Sequence, residues 1–380
     1  MIFNIDIRDE EKLVLFLSNP YLTENHKNNL KSILLNNRNI NPEKIYSLAL
    51  ANEVAGFVFK NPHESAIFPD KINLDFHNSY RQTAFRNILM FRETLAVLKL
   101  LSENKIAAVP LKGATASDLL FNDFGVYPSG DIDILVHPSR LAESKRILCD
   151  QGGFSQIQEI SEKDLLSSHY HLIFRKKNML IEVHWNLVKR YFSIPADFWW
   201  QDSKEFKWNG INTFELSLER YILYNIFRLF DHCFYPLRFF ILLNGIIEQN
   251  ADHIDWDRLI KFANHYKMEK LVVLTLGLLK DMFDTSIPEN AVQEKYFGDT
   301  YFKALVLSGI FSGIQKQHQR MMFYTILLIE SKTIFKILGR RLFPSAGELR
   351  LRYNLPPKSN RVYIYYILNP FLLLLKKKDT

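Results

Sequence analysis

The chain has few cysteines and lacks long uninterrupted apolar runs. Cys149 and Cys233 are its two cysteines, and they are far apart and in no metal-ligand spacing. A disulfide framework and a cysteine-based structural zinc site are therefore not expected, and a reduced cytoplasmic compartment fits best. No segment reaches the roughly 20 apolar residues that a membrane-spanning helix needs. The opening MIFNIDIRDEEK is charged early and has no apolar core of a signal peptide.

The charge is also low for a protein that binds nucleic acid. Lys and Arg number 48 against 41 Asp and Glu, so the net charge is +7 over 380 residues. This excess is too diffuse on its own to indicate a nucleic-acid partner. Apolar residues make up 47% and charged residues 23%, as in ordinary globular proteins. The 30 Phe and 17 Tyr predict an aromatic-rich core.

The hydrophobic pattern changes twice along the chain. Residues 8–104 have helical spacing, and helical spacing returns from residue 216. Between them lie two short apolar runs typical of strands, IAAVPLKG and GDIDILV. In HYHLIFRKKNMLIEVHWNL, polar and apolar residues alternate on both sides of KKN, which predicts a hairpin. The pattern predicts an α+β fold in which a small mixed β-sheet is flanked by helical regions. The expected regions are 1–105 (N-terminal helical), 106–200 (α/β core) and 201–380 (C-terminal helical).

Two aspartates interrupt the strand GDIDILV. Asp131 and Asp133 alternate with apolar residues, so both carboxylates are expected on one face of the strand. Left unpaired, each would raise the pKa of the other. A divalent cation removes this conflict, and hard carboxylate oxygens suit Mg²⁺ or Mn²⁺, which can share their coordination shell with substrate phosphates. The pair therefore predicts a metal site for phosphoryl chemistry.

Two neighbouring segments would complete such a site. Glu182 in MLIEVHW supplies a third carboxylate, as a metal ligand or as the base that deprotonates an acceptor. In LKGATAS, a strand end leads into a helix, where backbone N–H groups can bind phosphate. Gly113 would allow close approach of the phosphates. Lys112, Thr115 and Ser117 would add a charge and two hydroxyls.

The order of these blocks resembles a known family. The chain shows LKG at 111–113, DIDILV at 131–136, a histidine at 169 or 171, and EVHW at 182–185. It looks like the bacterial uncharacterised nucleotidyltransferases of the polymerase-beta-like nucleotidyltransferase superfamily. The resemblance implies transfer of a nucleoside monophosphate from a nucleoside triphosphate to an acceptor, with release of pyrophosphate. It implies Asp131, Asp133 and Glu182 as the metal-binding and catalytic residues.

The chain departs from the family pattern at two positions. Tyr127 stands where members usually have an arginine, four residues before the first aspartate. Asn244 stands where a later helix often has an aspartate. The first difference affects triphosphate contact or substrate choice, and leaves the metal carboxylates intact.

Several alternatives stay open from the sequence. One is a non-catalytic nucleotide- or partner-binding protein on the same fold, and another is a zinc hydrolase using His169, His171 and His184. The acceptor is not specified, although a phosphosugar, a peptide or another small molecule is favoured over nucleic acid. The apolar segment 362–378 is too short to span a membrane. We expect it to form a helix pair packed on the core, with peripheral membrane contact as the alternative.

Overall fold

A computed structural model describes most of the chain, and it has the predicted α+β architecture. Helices precede and follow a small mixed sheet, as the hydrophobic pattern indicates. The residues that the structure describes are 7–36, 40–61, 68–157, 169–189, 192–292, 296, 298–356 and 359–375.

In the described part of the chain, five helices precede the sheet. The third begins at Pro42, where Asn41 Oδ1 accepts a hydrogen bond of 3.0 Å from the backbone N–H of Lys44. The fifth is the longest and runs beside the sheet. The bounds are α1 Asp9–Leu17, α2 Glu24–Asn36, α3 Pro42–Ala51, α4 Ala55–Lys60 and α5 Asp70–Glu103.

The central sheet has five strands in the order β1-β2-β5-β4-β3. The pairs β1–β2, β3–β4 and β4–β5 are antiparallel, whereas β2 and β5 are parallel. The sheet is therefore mixed, as predicted. Its strands and helices are β1 Ala108–Pro110, α6 Ala114–Leu119, β2 Ile132–Val136, α7 Leu141–Asp150, β3 Ser155–Gln156, β4 His171–Lys176 and β5 Met179–His184.

Strand β2 is buried on both faces, and its two faces differ in character. Ile132, Ile134 and Val136 belong to a hydrophobic cluster with residues of α5 and α7. Since side chains alternate along a strand, Asp133 points to the opposite face, where Leu135 joins the larger core. The carboxylate face therefore lies toward the larger core, which contains side chains from helices before and after the sheet.

A second sheet lies in the region predicted to be helical. Strands β6 (Lys204–Trp208) and β7 (Ile211–Glu215) form an antiparallel hairpin. Asn209 and Gly210, at its tip, both have positive φ (48° and 79°), as a two-residue hairpin turn requires. Residues 201–380 are predicted as a C-terminal helical region with helical spacing from residue 216, and the hairpin lies before that spacing begins, where an Asn-Gly turn joins two alternating segments.

Helices dominate the chain after the first sheet. In the described part, one hydrophobic cluster contains side chains from both the N-terminal helices and these later helices. The boundaries proposed at residues 105 and 200 stay predictions. The bounds are α8 Ala196–Trp200, α9 Leu218–Asp231, α10 Arg238–Asn250, α11 Trp256–His265, α12 Glu269–Phe283, α13 Asp299–Ile310, α14 Ile314–Leu328, α15 Ser331–Leu342, α16 Ala346–Arg352 and α17 Val362–Leu375.

In the described part of the chain, no helix has the length and apolar character needed to cross a membrane. Residues 362–375 form one continuous helix, so the predicted C-terminal helix pair is wrong. Helix α17 includes Pro370 and packs through Asn369, whose Nδ2 donates to the carbonyls of Arg341 (3.1 Å) and Leu342 (2.7 Å) at the end of α15. Residues 376–378 of the segment lie outside the described residues.

His26 is a buried histidine that should make stability depend on pH. Burial lowers its pKa, and its Nδ1 lies 2.9 Å from Thr23 Oγ1. The unfolded chain, with a histidine pKa of about 6.5, therefore binds the proton more readily than the folded protein. Stability from this residue is present above that pH and is lost as the pH falls. We expect wild-type protein to lose more stability than His26→Gln between pH 7 and 5.

The measurement is the midpoint of urea unfolding for both proteins at the two pH values. His253→Gln, at an exposed position, is the control and should behave as wild type. Parallel losses in wild type and His26→Gln would show that His26 does not contribute.

Candidate active site

Three carboxylates meet where the parallel strands β2 and β5 lie side by side. Asp133 is paired in register with Glu182, and Asp131 immediately precedes β2. One oxygen from each of the three residues lies within 4.8 Å of the others. The side chain of Asp133 is fully buried, while Glu182 and Asp131 are 24% and 32% exposed. The sequence-predicted triad is thus assembled with one buried and two partly accessible members.

Asp133 has a cationic partner on each of its oxygens. Lys112 Nζ lies 2.9 Å from Asp133 Oδ2 and 3.8 Å from Asp131 Oδ1. On the other side, His184 Nε2 lies 3.0 Å from Asp133 Oδ1 and 3.4 Å from Glu182 Oε2. Lys112 therefore already occupies a cation position between the two aspartates.

The two aspartates differ in protonation behaviour. Burial raises the pKa of Asp131, and the neighbouring charge of Asp133 raises it further. Burial acts in the same direction on Asp133, but Lys112 and His184 outweigh it and hold the pKa of Asp133 well below its usual range. The sequence predicts that mutual repulsion raises the pKa of both aspartates. In the structure the pKa of Asp131 is raised but that of Asp133 is not, because Asp133 has close cationic partners.

His184 links the carboxylates. It is 5% exposed, and burial alone would lower its pKa, but hydrogen bonds to Asp133 and Glu182 raise the pKa above its usual value. For Glu182, burial raises the pKa, but the hydrogen bond to His184 and the charges of His171 and His184 together outweigh it and lower the pKa. His184 thus stabilises the ionised forms of two of the three carboxylates.

The residues predicted to form a phosphate cradle lie in different surroundings. Gly113 precedes α6 with φ +73°, and a Cβ there would lie 2.5 Å from Ser129 Oγ, so glycine is required on packing grounds. Ser117 is fully buried, and its Oγ donates to the Tyr127 carbonyl at 3.1 Å. Its hydroxyl is therefore engaged within the protein fold.

Thr115 lies apart from the three carboxylates. It lines a cavity of about 250 Å³ between α6, the second hairpin and helices α9 and α10, and that cavity includes none of the carboxylates. Of the four cradle residues predicted from the sequence, the structure brings Lys112 to the carboxylates.

Tyr127, which replaces the usual arginine, is a packing residue. It is 1% exposed, its ring stacks on Phe121 at 5.8 Å, and its carbonyl accepts a hydrogen bond from Asn87 at 2.7 Å. The guanidinium of Arg238 lies 5.6 Å from the same ring and donates to the carbonyl of Pro128. Arg238, from α10, thus supports the loop that leads to Asp131.

Asn244, the second departure from the family pattern, is also internal. It is fully buried, donates to Asn19 Oδ1 at 3.1 Å and accepts from Thr285 Oγ1 at 2.7 Å. These bonds join α10 to the segments that follow α1 and α12. Asn244 therefore has a structural role in the described fold.

The sequence interpretation missed Arg228, a buried arginine on α9. It is 6% exposed and stacks over Phe239 at 4.6 Å and Tyr224 at 5.7 Å, with one hydrogen bond, to Asn225 Oδ1 at 3.2 Å. No carboxylate among the described residues forms an ion pair with it. The pKa of Asp131 is raised overall, but the positive charge of Arg228 acts in the opposite direction and limits that rise. The signal was an arginine inside the apolar run YNIFRLF.

A second group of potential metal ligands shares Glu182. His171, Glu182 and His184 offer ligand atoms within 4.8 Å of one another, and His171 is the in-register partner of His184. Burial, and then the charge of His184, lowers the pKa of His171 to about 4. In the described structure, the Nδ1 atoms of His171 and His184 are buried without hydrogen-bond partners. The ring of His169 lies 6.3 Å from that of His171.

The residues fit a hard divalent cation at the carboxylates. Three carboxylates converge there, with no cysteine in the group, and oxygen ligands of this kind suit Mg²⁺ or Mn²⁺. The ammonium group of Lys112 between Asp131 and Asp133 shows that this position favours positive charge.

Residues 38–284 match the model of a family described as "Uncharacterised nucleotidyltransferase". The chain belongs to this family. The match covers more than half of the chain, including all five strands of the central sheet, the three carboxylates and Arg228. Membership of this family indicates that the protein is a transferase with a nucleoside triphosphate as substrate. No curated protein and no solved structure gives a significant match.

Proposed function

We propose that this protein is a metal-dependent nucleotidyltransferase that moves a nucleoside monophosphate from a nucleoside triphosphate to an acceptor, releasing pyrophosphate. The observation that carries the proposal is the convergence of Asp131, Asp133 and Glu182 on adjacent parallel strands, in a chain of a nucleotidyltransferase family. Positioning and charge neutralisation are the main sources of catalysis in such transfers.

Each group at the site would have a separate role in transfer of the phosphoryl group. Asp131, Asp133 and Glu182 would hold Mg²⁺ or Mn²⁺, which would supply positive charge to offset the negative charge of the triphosphate. Lys112 would turn from the aspartates to a phosphate oxygen once a divalent cation neutralises them. His184 would keep Asp133 and Glu182 in position through its two contacts.

Arg228 is our candidate for the triphosphate contact that the family arginine would make. It is protonated because the surrounding groups raise its pKa despite burial, which acts against the charge. It has no ion-pair partner among the described residues, unlike Arg238, which pairs with Glu53. A buried guanidinium near the carboxylates can bind phosphate oxygens in a bidentate manner.

A cavity with a mixed polar and apolar lining is our candidate for the acceptor pocket, and none of the three carboxylates lines it. It has a volume of about 240 Å³, and it borders the loop Pro128–Gly130, directly before Asp131. Ser79, Thr83, Arg86 and Arg238 contribute hydroxyls and positive charge to its lining, and Glu53, the ion-pair partner of Arg238, contributes a negative charge. A phosphosugar or another small phosphorylated acceptor fits this lining better than an extended nucleic acid.

The proposal predicts that nucleotide binding depends on a divalent cation. Without metal, a triphosphate and the partly exposed Asp131 and Glu182 repel each other, and a cation bridges them. We expect ATP, GTP, CTP or UTP to raise the melting temperature by less than a degree in chelator-treated protein, and by several degrees with Mg²⁺ or Mn²⁺. Inorganic sulfate with Mg²⁺ is the control for a general anion effect. Equal shifts with and without metal would contradict the proposal.

Two other functions give different results in the same preparation. The unpartnered Nδ1 atoms of His171 and His184 favour a nitrogen-binding metal, so stoichiometric zinc after purification would support a zinc hydrolase. A non-catalytic binding protein would show the metal-dependent shift without forming pyrophosphate from any nucleotide. Pyrophosphate release with candidate phosphorylated acceptors therefore separates the binding protein from the transferase.

A further inference from the structure

The C-terminal helices beyond the family match expose an unusual amount of apolar surface. In the described part of the chain, 21 large apolar side chains are exposed, and nine of them fall after residue 330. This segment is about an eighth of the chain, so its apolar exposure is several times that of the rest. Contiguous apolar surface of this kind marks an interaction site. The nine are Phe335, Leu338, Leu342, Phe343, Tyr363, Ile364, Ile367, Leu368 and Phe371.

These side chains form stripes on two helices. On α17, the exposed residues recur at positions i, i+1, i+4, i+5 and i+8 from Tyr363 to Phe371, which places them on one face. On α15, Phe335, Leu338 and Leu342 recur at i, i+3 and i+7. The opposite side of α17 is the packed side, because Val362 and Asn369 are fully buried.

The helices that carry the stripes are tied into one unit. Asn369 Nδ2 donates to the carbonyls of Arg341 and Leu342, while its Oδ1 accepts from Arg352 at 2.7 Å and from Tyr353 at 2.9 Å. Tyr353 also stacks on Tyr365 with ring centroids 4.2 Å apart. These contacts fix the polar groups inward and leave the apolar stripe of α17 outward.

The same segment carries all of the protein's excess positive charge. Residues 331–380 contain eleven Lys and Arg against two Asp and Glu, a net charge of +9. The whole chain is +7, so residues 1–330 carry −2. Lys376, Lys377 and Lys378 follow α17 directly in the sequence. Clustered basic residues beside an amphipathic or apolar helix are the pattern of proteins that bind anionic lipid surfaces.

We propose that residues 331–380 bind the surface of an anionic membrane, with the apolar stripe of α17 inserted at the level of the lipid headgroups. The combination of charge and large aliphatic side chains favours lipid over nucleic acid, whose phosphates would match the charge but not the apolar stripe. The stripe lies on one face of α17 and the opposite face is packed, so the proposed association is peripheral. This inference is independent of the proposed nucleotidyl transfer.

The test measures flotation of the full chain with lipid vesicles. We expect binding to vesicles with one third phosphatidylserine to exceed binding to pure phosphatidylcholine about tenfold or more, and to weaken with salt. The double variant Ile367→Glu with Phe371→Glu should lose at least about tenfold of this binding, because it places two negative charges in the stripe. Arg341→Gln with Arg361→Gln, both exposed, should reduce the preference for phosphatidylserine.

The matched control places the same two charges on apolar residues that are exposed elsewhere. Leu35 and Phe85 are 80% and 69% exposed, and Leu35→Glu with Phe85→Glu should bind vesicles as wild type does. Melting temperatures of all variants establish that they are folded. Absence of vesicle binding by wild-type protein, or equal loss in both double variants, would overturn the proposal. So would dimerisation abolished by the Ile367 and Phe371 changes without any vesicle binding, since a second copy would then cover the stripe.

Discussion

Replacing Asp133 by asparagine should both abolish nucleotidyl transfer and destabilise the protein, whereas Asp131→Asn should abolish transfer alone. Asp133 is fully buried between Lys112 at 2.9 Å and His184 at 3.0 Å. Removing its charge leaves two cationic groups without their shared anion, and breaking a buried pair in this way costs about 3 kcal/mol or more. The charged form of Asp131, by contrast, is disfavoured in the folded protein, because burial and the charge of Asp133 raise its pKa.

The stability difference between the two variants has a clear sign. Neutralising Asp131 removes a repulsion, so its variant should melt at the same temperature as wild type or higher, a pattern found at functional sites. For Asp133, the folded-state pKa is lowered, so its stabilising effect is present above the unfolded-state pKa of about 3.9 and is lost as the pH falls through the folded-state value. The Asp133→Asn deficit should therefore be complete at pH 7.

Both variants should lose about a hundredfold or more in metal-dependent nucleotide transfer, because charge stabilisation of the phosphoryl group is lost. The measurements are melting temperature and pyrophosphate release, made side by side with Glu182→Gln. Normal specific activity in either aspartate variant would show that the carboxylate is structural. Equal melting temperatures of Asp131→Asn and Asp133→Asn would contradict the assigned charge pairing.

Arg228→Met should impair nucleotide use without destabilising the fold. The guanidinium is buried over Phe239 and Tyr224, with no ion-pair partner among the described residues. Replacing a buried charge by an apolar side chain of similar size is often neutral or stabilising. If Arg228 contacts the triphosphate, its loss should lower kcat/KM for the nucleotide by about a hundredfold, the scale of losing one preorganised charge donor. Arg228→Lys should recover part of it.

Arg220 provides the matched control on the same helix. Its guanidinium is also buried, and lies 4.7 Å from the rings of both Phe198 and Phe262, but it forms an ion pair with Asp202 at 3.0 Å. Arg220→Met breaks that pair and its hydrogen bonds, so it should lower the melting temperature while specific activity is retained. If Arg228→Met instead melts early with unchanged kcat/KM, Arg228 is a packing residue and the triphosphate contact must be sought elsewhere.

The carboxylates were predictable from the sequence because strand geometry is local. Alternation placed Asp131 and Asp133 on one face, and short-range signals located the β4–β5 hairpin that carries Glu182. The parallel pairing of β2 with β5 then put Asp133 beside Glu182. The family resemblance was equally accessible, since its motifs lie on these same strands, and the family match confirms it.

Features that depend on distant packing were not predictable in the same way. The position of Arg228 requires the fold of α9 over the carboxylate face, and no spacing rule links it to Asp131. Ser117 was predicted as a phosphate ligand from its place in LKGATAS, but its hydroxyl is bonded to the Tyr127 carbonyl, ten residues away. The second hairpin was missed although its Asn209-Gly210 turn was visible, because the helical pattern that follows was extended backwards over it.

Lys112 lies between two aspartates, at a position that a divalent cation would also favour. The ammonium group already neutralises Asp133 in the protein alone, so a divalent cation entering by itself must displace a favourable partner. If the proposed function is correct, a triphosphate would offer Lys112 a new anion at the same time. Each ligand would then lower the cost of binding the other, and this reciprocity would be a coupling free energy between them. An internal lysine would in this way make the nucleotide and its metal enter as a cooperative pair.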